Sequence, residues 1–284
     1  MRSALKKSDM AGTICAAVPL GFAALLFSIA SPAHVQAAPC GTTGSGFSSW
    51  LDDFKGRAQA SGISPSTIDR ALSGVTYDQS VIRRDRSQKS FKLSFDQFYQ
   101  RRVGSYLLNK ARGKLKTHAS LLNSIEKRYG VPPEIVVSIW GLETNFGADG
   151  AGKYSIIRSI ATLAYDCRRS EFFGGHLLAA LRIVQKGDMS PGEMRGGWAG
   201  EIGQVQFLPG SYDKYAVDYD GNGRRDLVHS VPDILASTAN FMKGHGWQRG
   251  APWGPGTHNY SVIKDWNKAD VYARTIALMA ERLR

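Results

Sequence analysis

The chain has 284 residues, a formal net charge of +12 and only three cysteines, and 43% of its residues are hydrophobic. This length supports one large core or two unequal domains. The charge suits a polyanionic or acidic partner without identifying one, and the cysteine spacing excludes a zinc-binding module.

The N-terminal segment has the pattern of an export signal. Arg2, Lys6 and Lys7 give a basic start, residues 11–30 are mostly small and apolar, and Val35-Gln36-Ala37 fits a small-x-small cleavage site. We predict cleavage near Ala37, which lowers the charge from +12 to +10 because three basic residues and one acidic residue are lost. A membrane anchor is the alternative, but proline and glycine interrupt the apolar stretch. We expect no other segment to span a membrane.

Cleavage would also remove Cys15 and leave one pair, Cys40 and Cys167. In an oxidising compartment an even pair predicts a disulfide, and two free thiols are the alternative. Pro39 directly before Cys40 is wrong for a lipoprotein signal, so we expect no lipid anchor.

Helical patterns dominate the rest of the chain, and alternating strand patterns are scarce. We therefore predict a mainly α fold with a small irregular or hairpin element between residues 187 and 230. The predicted helix over 87–114 is long and rich in basic residues. These residues fit a solvated face better than a nucleic-acid surface, because aromatic residues are not interleaved among them. The predicted helices cover 47–61, 65–72, 87–114, 118–129, 132–147, 155–165, 172–186, 231–244 and 270–284.

The helix over 132–147 is apolar and carries one carboxylate, Glu143, near its far end. At helical spacing Val136, Trp140 and Glu143 share one side, so Trp140 can wall the carboxyl from the preceding turn. Apolar surroundings raise the pKa of a carboxyl and keep it protonated, which glycosidic cleavage requires of its general acid. The alternative is a glutamate that reaches solvent or forms a structural ion pair.

Five segments, in this order and spacing, closely resemble the membrane-bound lytic murein transglycosylase B family, glycoside hydrolase family 103. The likeness covers nearly the whole chain after residue 37. The segments are 140–147 (WGLETNFG), 161–169 (ATLAYDCRR), 197–212 (GWAGEIGQVQFLPGSY), 216–223 (AVDYDGNG) and 244–247 (GHGW).

The resemblance implies a lysozyme-like core and an enzyme that cleaves the β-1,4 bond between N-acetylmuramic acid and N-acetylglucosamine in peptidoglycan. Water is not used, and a 1,6-anhydromuramoyl end is left. Glu143 would be the single acid/base, first protonating the glycosidic oxygen and then accepting the proton of the attacking C6 hydroxyl. No second acid stands at an obvious paired position, which agrees with this exception to the two-carboxylate rule.

The residue patterns and the resemblance together predict the organisation of the protein. Residues 1–37 would be the signal peptide, 38–120 an N-terminal helical region and 121–284 the lysozyme-like core. We expect a periplasmic monomer without a stable membrane anchor. Its partners would be peptidoglycan glycan strands and not nucleic acid, and catalysis would require no cofactor.

Several substrate-binding positions carry over from the family motifs. Arginine suits carboxylates, an amide side chain forms hydrogen bonds with hydroxyls, and a phenyl ring stacks on a sugar. The alternatives to these binding roles are that the arginines lie on the surface and that the phenylalanine packs in the core. Trp266 stands where the family has tyrosine, so any role of that hydroxyl is lost, and Gly197 stands where the family often has serine. The positions are Arg168, Arg169, Gln206, Phe207, Trp266, Asn267 and Tyr272.

Residues 218–229 resemble an EF-hand loop. Oxygen ligands stand at positions 1, 3, 5 and 9, with glycine at position 6, but the twelfth position is His229 instead of an acid. Weak structural calcium binding and a tight turn ordered by aspartate side chains both remain open. The candidate ligands are Asp218, Asp220, Asn222 and Asp226.

Three other functions fit parts of the pattern. A hydrolytic muramidase would use water as the nucleophile and would need a second group to assist Glu143. A non-catalytic peptidoglycan-binding protein would keep the cleft and lose the acid. A nucleic-acid binder would bind with a steep salt dependence that does not change in Glu143→Gln.

Overall fold

In the computed structural model the described residues are 39–88, 93–150 and 152–284. They form thirteen α-helices, one short 3₁₀ turn and two two-residue strands, and Ala37–Arg284 is one compact unit. The predicted signal peptide and Cys15 lie outside the described residues. The helices are α1 Phe47–Ala60, α2 Pro65–Leu72, α3 Gln79–Ser87, α4 Phe95–Arg102, α5 Ser105–Thr117, α6 Ala119–Tyr129, α7 Pro133–Thr144, α8 Ile156–Tyr165, α9 Ser170–Lys186, α10 Pro209–Tyr215, α11 Val231–Gly244, α12 His258–Trp266 and α13 Asp270–Glu281.

The central helix of the fold is α7. A helix that is apolar all round must be buried, and α7 packs against α5, α6, α11 and α13. Its residues Ile135–Leu142 are all buried, while Glu143 in the last turn is mostly buried but keeps some exposure. The helix ends at Thr144 and not at the predicted Gly147, because Asn145 adopts a left-handed conformation with φ 50° and its N–H bonds to the carbonyl of Gly141.

One predicted helix is wrong. The segment 87–114 is not continuous: α3 ends at Ser87, α4 begins after Ser94 and α5 begins after Gly104. Ser94 and Gln97 form a capping box that starts α4, and Val103 leaves helical geometry. Residues 89–92 lie outside the described residues.

The segment 187–230 is mostly irregular, as predicted, but it also contains the unpredicted helix α10. Its strand β2, Arg195–Gly196, pairs antiparallel with β1, Tyr154–Ser155, so the hairpin partner comes from outside the segment. Helix α12 was also missed. Proline at the first turn of α10 and Thr257 as N-cap of α12 are the local signals that start these helices.

The predicted disulfide between Cys40 and Cys167 is confirmed. It joins the start of the described chain to the turn between α8 and α9, where the Gly41 N–H also donates to the Tyr165 carbonyl at 3.0 Å. The N-terminal helices α1 and α3 pack against α8. The domain boundary at residue 120 stays a prediction.

Within the described ranges, no helix is both long enough and apolar enough to cross a bilayer.

Candidate active site

A cleft of about 490 Å³ lies beside the C-terminal end of α7. Six of the eight predicted catalytic and substrate-binding residues line it, although they come from distant parts of the chain. Arg168 and Tyr272 are the two that do not. The six are Glu143, Arg169, Gln206, Phe207, Trp266 and Asn267.

The carboxyl of Glu143 is held by two donors from the C-terminal helices. The Trp266 Nε1–H and the Tyr272 hydroxyl each donate to Oε1, both at 2.8 Å. Burial and the neighbouring Glu143 raise the pKa of the Tyr272 hydroxyl well above its usual value, so it stays a donor. Since both donors use Oε1, the proton of neutral Glu143 is best placed on Oε2.

Burial raises the pKa of Glu143, as the apolar helix predicts. The hydrogen bonds from Trp266 and Tyr272 oppose this rise, and so does the charge of Arg102, whereas the charge of Glu201 adds to it. Burial outweighs the opposing groups, so the carboxyl is biased towards its protonated form.

The indole that hydrogen-bonds to Glu143 is Trp266 and not Trp140. Trp140 lies in the core, where its ring packs edge-on against Phe146 and its Nε1–H donates to Gln204 at 2.8 Å. The Trp266 ring is held between Phe207 and Phe241, with centroids 5.3 and 5.0 Å away. Tryptophan in place of tyrosine therefore removes a hydroxyl but still supplies a donor to the acid.

The two predicted arginines share one buried partner that the sequence analysis missed. Both Arg168 and Arg169 bond to Asp85 of α3, which is 2% exposed, and the Arg168 Nη2–Oδ1 distance is 2.7 Å. Only Arg169 lines the cleft, where its guanidinium also lies over the ring of Phe173. Asp85 therefore fixes Arg169 at the wall of the cleft, while Arg168, which does not line the cleft, joins the same ion-pair cluster.

The predicted saccharide ligands Gln206 and Phe207 lie on a tight turn. Gln206 has φ 51°, a left-handed conformation that costs free energy in a residue with a side chain, and its Nε2 donates to the Gly203 carbonyl. Phe207 is 3% exposed and packs on other rings, so most of its side chain belongs to the core and little of it is free to stack on a sugar. An exposed ring that the sequence analysis missed, Phe172 at 50% exposure, also lines the cleft.

A second carboxyl lies in the same cleft, contrary to the expectation that no acid is paired with Glu143. Glu201 lines the cavity, its Oε2 accepts the N–H of Ala199 at 3.0 Å, and burial raises its pKa. It lies where a side chain at Gly197 would be, because a Cβ there would come 2.1 Å from Oε2. A glycine and a glutamate four residues apart form no recognisable motif, so the sequence did not predict this contact.

The EF-hand-like loop gathers a different set of acids from the one predicted. Carboxylate oxygens of Asp218, Asp220 and Asp233 lie within 4.8 Å of one another, which suits a hard cation such as calcium. Asp233, in the first turn of α11, was not predicted. Asp226 accepts the backbone N–H groups of Val228 and His229, and Asn222 accepts that of Arg224. Asp218 and Asp233 also accept backbone N–H groups of the loop, so the aspartates order this turn in the structure themselves.

Comparison with known proteins supports the resemblance. A family model described as a transglycosylase SLT domain matches residues 46–257. The membrane-bound lytic murein transglycosylase B of Escherichia coli is 42% identical over 130 residues, which are 45% of this chain and 36% of that protein. The chain thus matches little more than a third of the length of that curated relative.

Solved structures agree. SltB3 from Pseudomonas aeruginosa in complex with NAG-anhNAM-pentapeptide is 34% identical with a TM-score of 0.78, covering 84% of this chain and 80% of that one. Escherichia coli Slt35 in complex with calcium is 23% identical with a TM-score of 0.71, covering 89% and 97%, and shows the fold alone. The mainly α, lysozyme-like architecture is therefore confirmed, and the chain belongs to the transglycosylase SLT domain family.

Proposed function

We propose that the protein is a lytic peptidoglycan transglycosylase that cleaves the MurNAc-β-1,4-GlcNAc bond without water and leaves 1,6-anhydroMurNAc ends. The observation that carries the proposal is Glu143, a carboxyl with raised pKa whose Oε1 is held by two donors at the wall of a cleft. Structures of SltB3 with NAG-anhNAM-pentapeptide and with NAG-NAM-pentapeptide support a glycan substrate for this family member.

In the first step, Glu143 donates the proton on Oε2 to the glycosidic oxygen as the bond from muramoyl C1 to that oxygen breaks. The N-acetylglucosamine hydroxyl leaves, and the substrate's own 2-acetamido group can serve as the transient nucleophile at C1. The carboxylate that forms keeps the hydrogen bonds from Trp266 and Tyr272, which are stronger to an anion than to a neutral acid.

In the second step, the muramoyl C6 oxygen attacks C1, the bond from C1 to the acetamido oxygen breaks, and the proton of the C6 hydroxyl passes to Glu143. The new C1–O6 bond closes the anhydro ring, and Glu143 ends in its starting protonation state. One carboxyl therefore serves as acid and then as base, and no water is consumed. A group with raised pKa suits both steps, because it is protonated at the start and basic after it has given up its proton.

The walls of the cleft supply the groups that a muropeptide needs. Arg169 suits a carboxylate of the peptide stem, since guanidinium forms paired hydrogen bonds with carboxylates. Asn267 and Gln206 offer amides to sugar hydroxyls, and the exposed Phe172 ring offers a stacking face. Arg168 would act indirectly, through the Asp85 ion pairs that hold Arg169.

We propose that the protein acts in the periplasm, as a monomer, on anionic wall polymer. The predicted export signal and the disulfide support the compartment, and the basic net charge supports the polymer.

Mass spectrometry of a peptidoglycan digest tests the reaction. We expect purified peptidoglycan treated with the protein to release muropeptides that are one water lighter than reducing-end products. Reducing ends would instead assign a hydrolytic muramidase, and the absence of soluble product would assign a binding protein. Lysozyme treatment of the same sample gives the reference masses of reducing ends.

We also propose that the acidic cluster of the EF-hand-like loop holds a structural calcium ion, with Asp233 as a ligand that the loop pattern does not contain. With roughly millimolar calcium we expect a higher thermal unfolding midpoint, since a ligand bound only to the folded state stabilises it. Asp218→Asn should lose this response, and magnesium should give a smaller one. An unchanged midpoint would favour a turn ordered by the aspartates alone.

A further inference from the structure

The acidic side chain of Glu201 has no part in the reaction proposed above, yet it shares the cleft with Glu143. A short loop sets its position. The Gly197 N–H donates to the Glu201 backbone carbonyl at 3.0 Å, and the Ala199 N–H donates to Oε2 at 3.0 Å. The loop therefore folds the carboxyl back over Gly197, into the wall of the cleft.

Gly197 leaves the space that this carboxyl occupies. A Cβ at position 197 would lie 2.1 Å from Glu201 Oε2 and 2.8 Å from Cδ, well inside contact distance. Since φ at this residue is not in the left-handed region, backbone conformation does not explain the glycine. The two shortest contacts are with the movable end of a side chain, so a larger residue at 197 would displace the carboxyl, while the Glu201 Cβ at 3.2 Å would have to shift slightly.

We propose that Glu201 is a second acidic group of this active site, a positioning residue that holds the reacting proton on Glu143, and that Gly197 is glycine in order to admit it. The inference rests on the proposed function and deepens it.

The physical basis is that two carboxyls in one cleft disfavour the state in which both are charged. Burial is the largest cause of the raised pKa of Glu143, and the negative charge of Glu201 adds to it. Burial also raises the pKa of Glu201, whereas the Ala199 N–H bonded to its Oε2 favours the charged form, so Glu201 acts on Glu143 at a pH where it has lost its own proton. There its charge helps to keep the acid protonated before cleavage and makes the resulting anion a better base for the C6 hydroxyl. The groups that oppose it at Glu143 are Arg102, Trp266 and Tyr272. Arg169 and Asp265 are the other charged residues on the cleft wall.

The first test is the pH dependence of kcat for Glu201→Gln. The alkaline limb reports loss of the proton from Glu143, and removing a negative neighbour lowers the pKa of that group. We therefore expect the limb to move to lower pH, with about a tenfold loss of rate above the limb for each unit of displacement. Glu171→Gln, at an exposed glutamate outside the cleft, should leave the limb in place. Tyr272→Phe removes a donor to the carboxylate and should move it to higher pH.

The second test is a double-mutant cycle between positions 197 and 201. Gly197→Ala should displace the carboxyl and reproduce the shift seen in Glu201→Ala. In the Glu201→Ala background, Gly197→Ala should add little, because the two changes remove the same interaction. Additive effects would contradict the steric part of the proposal. Circular dichroism and the unfolding midpoint of each variant establish that the fold is kept.

Titration of the Glu143 carboxyl by ¹³C NMR separates this inference from the proposed reaction. A lower Glu143 pKa in Glu201→Gln supports the inference even if wild-type protein releases no anhydro product. Two results would overturn the proposal. If neither the alkaline limb of kcat nor the Glu143 pKa moves in Glu201→Gln, Glu201 has only a structural role. If Glu201→Gln selectively loses reducing-end products, Glu201 is a base that activates water.

Discussion

Glu143→Gln is expected to lower the rate of peptidoglycan cleavage by about 10³–10⁴-fold, the largest effect of any single change in the cleft. The reason is that one carboxyl performs both proton transfers, and an amide can neither donate an acidic proton nor accept one. Release of soluble muropeptides from purified sacculi, separated by chromatography and identified by mass, measures the loss.

Glutamine is a close control for structure as well as the strongest test of chemistry. Its Oε1 can still accept from Trp266 and Tyr272, so the C-terminal helices should keep their contacts with α7. We expect unchanged unfolding and unchanged co-sedimentation with insoluble peptidoglycan. Cleavage at more than about a tenth of the wild-type rate would mean that another group supplies the proton, and the proposed mechanism would be wrong.

Replacing both cysteines of the Cys40–Cys167 pair with serine is expected to lower the free energy of unfolding by about 4–5 kcal/mol in the chain-entropy model. The two residues are 127 positions apart, so the bond removes much conformational freedom from the unfolded chain. Equilibrium denaturation in urea, with the slope compared between variants, measures the change.

Wild-type protein in a reducing agent should show the same loss, which controls for the substitutions themselves. The loss should also reach the cleft, because Cys167 directly precedes the arginines bound to Asp85. A change below about 1 kcal/mol would contradict this expectation and would indicate that residual structure already restricts the unfolded chain or that the bond strains the folded one.

Local sequence patterns predicted the elements that depend on near neighbours along the chain. The apolar run predicted α7, and the ends of the helices carry local signals that agree with the predicted ranges. Proline stands in the first turn of α7, and the Ser64 side chain accepts the Thr67 N–H at the start of α2. The pattern over 87–114 failed because similar aromatic and basic spacing continued through Val103 and Gly104, where the backbone leaves the helix.

Groups that act on Glu143 from a distance were predicted only where a family motif marked them. Trp266 and Tyr272 were placed near the cleft by such a motif, but the bond from the indole to Oε1 was not foreseen. No sequence pattern marked Glu201 or Asp85 as a group of the cleft. Acidic residues are common in loops and on exposed helices, and the groups that these two residues act on lie far away in the sequence.

The sequence alone determined the mainly helical fold, the disulfide pair and Glu143 as the candidate acid. These follow from periodicity, residue chemistry and motifs within short stretches. Only the tertiary structure decided which groups surround that acid: two donors from α12 and α13, Arg102 from α4 and a second carboxyl admitted by Gly197. The physical reason is that a proton affinity depends on charges, hydrogen bonds and burial in space, and folding brings these together from helices more than a hundred residues apart.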